Sequence, residues 1–150
     1  LIMIALIQRV SEASVSIKGN TIVDIGRGLV VLLGIEKQDT ELEANKLADK
    51  VLRCRIFEDS KGNLNLDVLA AKGAVLVVPN FTLAADTSKG NRPGFSTAME
   101  PDKAELLFNH FLATTKTKHA GVKAGIFGEN MQVNLINDGP VTISLKTKNP

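Results

Sequence analysis

Gly28-Leu29-Val30-Val31-Leu32-Leu33-Gly34-Ile35 is the stretch that decides the fold. Apolar side chains follow one another from Leu29 to Leu33 with no polar residue between them. Strand side chains alternate between two faces, so such a run predicts a strand buried on both. Upstream, Ser14-Val15-Ser16-Ile17-Lys18 and Thr21-Ile22-Val23-Asp24-Ile25 alternate polar and apolar residues around Gly19-Asn20. That pattern predicts a hairpin. Before it, Met3 to Val10 reads as a first strand ending in Gln8-Arg9. Leu1 and Ile2 precede Met3, which reads as the natural start, so the domain is taken as 3–150.

Downstream, Thr40-Glu41-Leu42-Glu43 forms a capping box: a hydroxyl for the free N–H groups and a glutamate reaching back. Leu47, Ala48, Val51 and Leu52 continue at helical spacing, and the helix should end near Arg53. A short strand is expected at Arg55–Phe57 and a short strand or loop at Leu64–Leu69, around the turn cluster Asp59–Asn63. Ala74–Val78 is a second buried-type strand, and Phe81–Asp86 is read as its continuation. Thr87–Met99 forms a long polar loop, a type that often carries function. Pro101 suits the first position of a second helix, whose apolar face is Ala104, Leu107, Phe108, Phe111 and Leu112. Lys116, Lys118 and Lys123 make a basic connection. Two strands then close the chain, Met131–Ile136 and Val141–Leu145, joined by a corner at Gly139-Pro140. Strands outnumber helices, and the order is not a regular βαβ alternation. The expected fold is a single mixed α/β domain, with barrel-like sheet layers covered by two main helices. Gly26-Arg27-Gly28 lacks a third glycine and precedes a strand, which excludes a dinucleotide fingerprint.

The chain has 150 residues, 44% hydrophobic and 23% charged, as expected of one folded domain with a sizeable core. No Trp and no Tyr are present, which disfavours a base-stacking platform. A formal net charge of +2 tolerates a phosphate-rich partner without arguing for one. The single cysteine, Cys54, excludes an internal disulfide and suits the reducing cytoplasm. Its neighbours Arg53 and Arg55 would favour a thiolate, whereas burial at a helix end would make it an inert packing residue. No apolar run approaches the length of a membrane span.

Catalytic side chains are scarce. The two histidines, His110 and His119, have no Cys or acidic cluster at metal spacing, so neither a metal nor another cofactor is expected. The chain has no G-x-S-x-G elbow and no phosphate-binding loop. An enzyme built this way must work through backbone groups and a few hydroxyls, which suits ester hydrolysis. Thr82 is the best hydroxyl. It follows Pro79, which cannot donate to a strand ladder, so pairing should lapse there and free the N–H groups of Phe81 and Thr82. Its plainer reading is a strand threonine, just as Gly139-Pro140 alone is only a turn.

Taken together, the segments Ile4–Val10, Gly28–Gly34, Phe81–Asp86, Arg92-Pro93-Gly94-Phe95-Ser96 and Asn137-Asp138-Gly139-Pro140-Val141-Thr142 resemble the D-aminoacyl-tRNA deacylase (D-tyrosyl-tRNA deacylase) family from Met3 to Leu145. The resemblance implies a hydrolase that cleaves the ester between a D-amino acid and the terminal adenosine of tRNA. It implies a homodimer with the active site at the subunit interface, tRNA as partner and no cofactor. It further implies a cis Gly139-Pro140 corner that enters the partner's pocket and excludes L-amino acids. By the same resemblance Phe81 and Thr82 are catalytic. Phe95, Ser96 and Arg9 bind or position substrate, with Arg9 holding the corner across the interface; Asn80 is also expected to bind substrate, although the role of the family's Gln does not carry over to it. Lys89 and Arg92 would meet phosphates. The family motif Ser-Gln-Phe-Thr-Leu here reads Pro79-Asn80-Phe81-Thr82-Leu83, and a related branch with Pro at that first position acts on other substrates. Gly-tRNA therefore stays open as a second substrate. A nucleophilic Thr82 and a water assisted by the tRNA 2′-hydroxyl are competing mechanisms, of which the second needs no side-chain base. A non-enzymatic RNA-binding or dimerisation module and a small-molecule esterase remain alternatives.

Overall fold

The computed structural model describes residues 3–147; Leu1, Ile2 and the last three positions of the expected domain lie outside the described residues. Five strands form one path in the order β2 (Asn20–Ile25), β1 (Ile4–Ile17), β3 (Gly28–Gly34), β6 (Ala74–Pro79) and β7 (Val122–Ala124). The last strand, β8 (Gln132–Lys146), pairs with β1 and completes a six-stranded sheet. A separate two-stranded piece joins β4 (Phe57–Glu58) and β5 (Leu64–Leu66). Each parallel step carries a helix, α1 (Glu41–Arg53) between β3 and β6, and α2 (Pro101–Lys118) between β6 and β7.

The apolar run of β3 does what its composition demands. It lies between β1, antiparallel, and β6, parallel. Leu29, Val31 and Leu33 join Val75 and Val77 beneath Leu47, Val51, Phe108 and Phe111 of the two helices. Val30, on the opposite face, meets Leu76, Val78, Val10 and Val15 inside the curled sheet. Two cores thus share one strand, and at about 25 cal/mol per Å² of apolar area removed from water they supply the main driving force of folding. The barrel is nearly closed. Lys123 of β7 donates from Nζ to the Asp24 main-chain oxygen of β2 at 2.9 Å, across the remaining gap.

The capping box forms as expected, with Thr40 at the N-cap, its backbone N–H donating to Glu43 Oε1 at 2.8 Å, and α1 ending at Arg53. Asp39, just before the cap, is buried; Oδ2 accepts from Glu36 N at 2.7 Å while Oδ1 has no partner among the described residues. Burial raises its pKa to about 6. Cys54 sits at the helix C-cap, and burial pushes its thiol up, so the packing role prevails over the flanking arginines.

Four expectations change. The two closing strands expected at Met131–Ile136 and Val141–Leu145 are one strand, β8, which runs on through the Gly139-Pro140 corner. The strands expected at Met3–Val10 and Ser14–Lys18 are one strand, because β1 trades β3 for β2 on one edge while keeping β8 on the other. The stretch containing Lys123 includes a strand, β7, too short for its alternation to show. Phe81–Asp86 does not extend β6: Phe81–Ala84 turns into a single 3-10 helix.

Candidate active site

Pro79 is the last residue of β6, and the ladder stops one step later where Asn80 N donates to Leu33 O at 2.8 Å. The 3-10 turn then begins, with Leu83 N donating to Asn80 O and Ala85 N to Thr82 O, both at 3.2 Å. The leading N–H groups of such a turn, here those of Phe81 and Thr82, have no partner within it. Gly34 makes room for the turn. A Cβ there would stand 2.7 Å from Leu83 Cβ, so the turn rests directly on the end of β3.

Thr82 donates its hydroxyl to Asn80 Oδ1 at 2.7 Å. An amide oxygen accepts this hydrogen without taking the proton, so no base stands on the hydroxyl. The Phe81 ring, 63% exposed, leans on Phe95 with centroids 5.2 Å apart at 58°. Both rings edge a cleft of about 500 Å³ that Asn80 also lines. Its apolar wall includes Leu33, Ile35, Met99 and Met131, and two carboxylates, Glu100 and Glu129, stand at its margin. The loop bearing Phe95 is tied down through Thr97, whose hydroxyl donates to Ala84 O at 2.6 Å and whose carbonyl accepts from Lys37 N at 2.9 Å. Asp86 caps the start of that loop, and the Ser88 hydroxyl and N–H bonded to its carboxylate lower its pKa. Lys89, Arg92 and Ser96 are exposed on the loop, and Ser96 does not line the cleft.

The Gly139-Pro140 corner is cis and exposed, and it interrupts the pairing of β8 with β1 between Asn137 and Thr142. Gly139 has φ +141°, a region side-chain-bearing residues rarely adopt, and a Cβ there would meet Arg9 Nη2 at 3.2 Å. Arg9 is buried beneath the corner. Its Nε donates to Asp138 O and its Nη1 to Ile56 O, each at 2.9 Å. Asn137 staples the other side: Oδ1 accepts from Val141 N, and Nδ2 donates to Thr142 Oγ1, both at 2.8 Å. Arg9 therefore braces the corner of its own chain. Neither Gly139 nor Pro140 lines the cleft. The fold gathers Asn80, Phe81 and Phe95 on the cleft, with Thr82 beside them on the 3-10 turn but not lining it, and holds Arg9, Gly139 and Pro140 at another place. Among the described residues, no group of three His, Cys, Asp or Glu is placed to hold a metal ion.

The family model described as D-Tyr-tRNA(Tyr) deacylase matches residues 6–146. This chain belongs to that family. It is 51% identical to the D-aminoacyl-tRNA deacylase of Escherichia coli O1:K1 / APEC, over 96% of this chain and 99% of that one. The enzyme of the same name from Shigella boydii serotype 18 matches equally. Among solved structures, the c-Myc DNA Unwinding Element Binding Protein superposes with a TM-score of 0.92 at 41% identity, covering 98% of this chain and 99% of that chain. A probable eukaryotic D-amino acid tRNA deacylase shares the fold, with a TM-score of 0.84 at 15% identity over 98% of this chain and 100% of that chain.

Sequence reasoning missed Gly34, Asn137 and the far wall of the cleft, Phe127 and Met131. Gly34 and Asn137 lay within the family-like segments, and Phe127 is an aromatic ring within the connection after the second helix; these were the available signals.

Proposed function

We propose that this protein hydrolyses the ester joining a D-amino acid to the terminal adenosine of tRNA, releasing the free D-amino acid and tRNA in the cytoplasm. The carrying observation is the 3-10 turn at the cleft edge. Two leading N–H groups are available for an oxyanion, beside a threonine hydroxyl already committed to Asn80. Water attacks the ester carbonyl carbon, and the charge gathering on the carbonyl oxygen is met by the N–H groups of Phe81 and Thr82. One water proton passes to the tRNA 2′-oxygen as the 2′-hydroxyl proton moves to the departing 3′-oxygen, and the ester C–O bond breaks. No side-chain base is needed, which fits a hydroxyl that faces only an amide.

The chiral filter is the Gly139-Pro140 corner of a second subunit. In a single subunit the corner is rigidly braced yet does not line its own cleft. It projects from β8, whose outer edge has no partner among the described residues and which exposes Val133 and Ile136. An unpaired edge with apolar side chains suits a second copy of the chain. In that dimer the corner's carbonyls crowd the position an L side chain would take. Phe95 and Ser96 lie toward the adenosine, and Lys89 and Arg92 toward phosphates.

The test is deacylation of D-Tyr-tRNA, L-Tyr-tRNA and Gly-tRNA by the purified protein. Release of D-Tyr with L-Tyr spared is expected, and the glycine arm sets the substrate range. Binding without release from any of the three would leave a non-enzymatic RNA-binding module instead.

A further inference from the structure

Asn80 does something unusual for its position. It is the N-cap of the 3-10 turn, the place where a polar side chain ordinarily accepts from the turn's free N–H groups. Its side chain makes no such bond. Its Oδ1 accepts the Thr82 hydroxyl instead, at 2.7 Å. Two consequences follow. The N–H groups of Phe81 and Thr82 are left uncapped, and the only hydrogen of the Thr82 hydroxyl is removed from use. A hydroxyl has one hydrogen and two lone pairs, so Thr82 Oγ1 is fixed as an acceptor. Asn80 is itself fixed on both sides, by its N–H on Leu33 O and its carbonyl on Leu83 N. Thr82 is exposed, so its lone pairs are open to a donor from outside the chain.

We infer that Asn80 is a positioning residue that holds Thr82 Oγ1 as a hydrogen-bond acceptor for the attacking water. This rests on the hydrolytic reading above and deepens it. Water has two O–H bonds. One carries the proton that moves to the 2′-oxygen, and the other is held by Thr82, which takes no proton and forms no bond to the acyl group. Oriented this way, the water lone pair faces the carbonyl carbon while the adjacent N–H groups hold the oxyanion. Without Asn80 the Thr82 hydroxyl could turn its hydrogen toward the water and compete for the attacking lone pair.

The test is a double-mutant cycle on D-Tyr-tRNA with Asn80→Ala, Thr82→Val and the double variant, each confirmed folded by its thermal melt. Asn80→Ala should lower kcat about five- to tenfold, the scale of one hydrogen bond, with KM nearly unchanged. Thr82→Val should do the same, and the double variant should be no slower than Thr82→Val. An equal further loss in the double variant would overturn the inference, because Asn80 would then act without Thr82. A rise in KM at constant kcat would also overturn it, since the acceptor would then hold bound tRNA. A wild-type protein that releases no D-Tyr would sink the hydrolytic reading and this one together; an active wild type without the coupling would sink only this one.

Discussion

Arg9 and Asp138 lie 129 positions apart in sequence, and Arg9 Nε donates to the Asp138 main-chain oxygen at 2.9 Å. The same guanidinium reaches Ile56 O, so one buried cation ties β1, the segment after α1 and the Gly139-Pro140 corner into a single unit. The Asp138 carboxylate stands 3.8 Å from Nε and is largely exposed, so its charge adds little beside the main-chain bond.

Arg9→Ala removes both bonds and leaves two carbonyls short of a donor. A loss of about 2–4 kcal/mol is expected from the denaturant midpoint, because each orphaned group costs its desolvation. Discrimination should weaken as well, so the ratio of D-Tyr to L-Tyr release should fall. Arg9→Lys, whose three donors radiate from a single nitrogen and lack the spread of Nε and Nη1, should behave nearly as badly. Full selectivity in Arg9→Ala would separate the brace from the filter.

Thr82→Ala should keep activity within about tenfold of wild type, the scale of one lost hydrogen bond. Single-turnover assays on D-Tyr-tRNA measure this directly. A loss of several thousand-fold, with a trappable acyl-enzyme in the wild type, would make Thr82 the nucleophile.

Gly34→Ala should damage the site through the backbone. The new methyl would overlap Leu83 Cβ at 2.7 Å, and Leu83 belongs to the 3-10 turn. The turn must lift from β3, carrying the Phe81 and Thr82 N–H groups with it. Overpacking of this kind costs about 1–3 kcal/mol of stability. Deacylation should fall further than Thr82→Ala reduces it, which would place the chemistry on the backbone.

Asp39 gives the fold a pH dependence of definite sign. Its carboxyl is raised from 3.8 to about 6, first by burial, so the folded state holds a proton that the unfolded state has released. Between about pH 4 and 6 stability from this residue therefore falls as pH rises, and above about 6 the penalty of the buried charge is fully present. Asp39→Asn should raise the urea midpoint at pH 7.5 and change it little at pH 4. An equal shift at both would show that the effect does not come from the titration of Asp39.

Local patterns determined much of this protein. Thr40 and Glu43 specify the start of α1, Pro101 that of α2, and Leu29–Leu33 the doubly buried strand, because each signal lies within a turn or two of what it controls. The resemblance carried by ordered segments marked Phe81, Thr82, Gly139 and Pro140 for attention. Only the tertiary structure decided that Phe81 opens a 3-10 turn, since that depends on Gly34, far away in sequence, leaving room beneath Leu83. Only it turned Arg9 inward onto Asp138 and Ile56, and the Thr82 hydroxyl onto Asn80. Chain propensity reports where a backbone can bend; which carbonyl a buried donor finds is settled by packing, and sequence distance carries no trace of it.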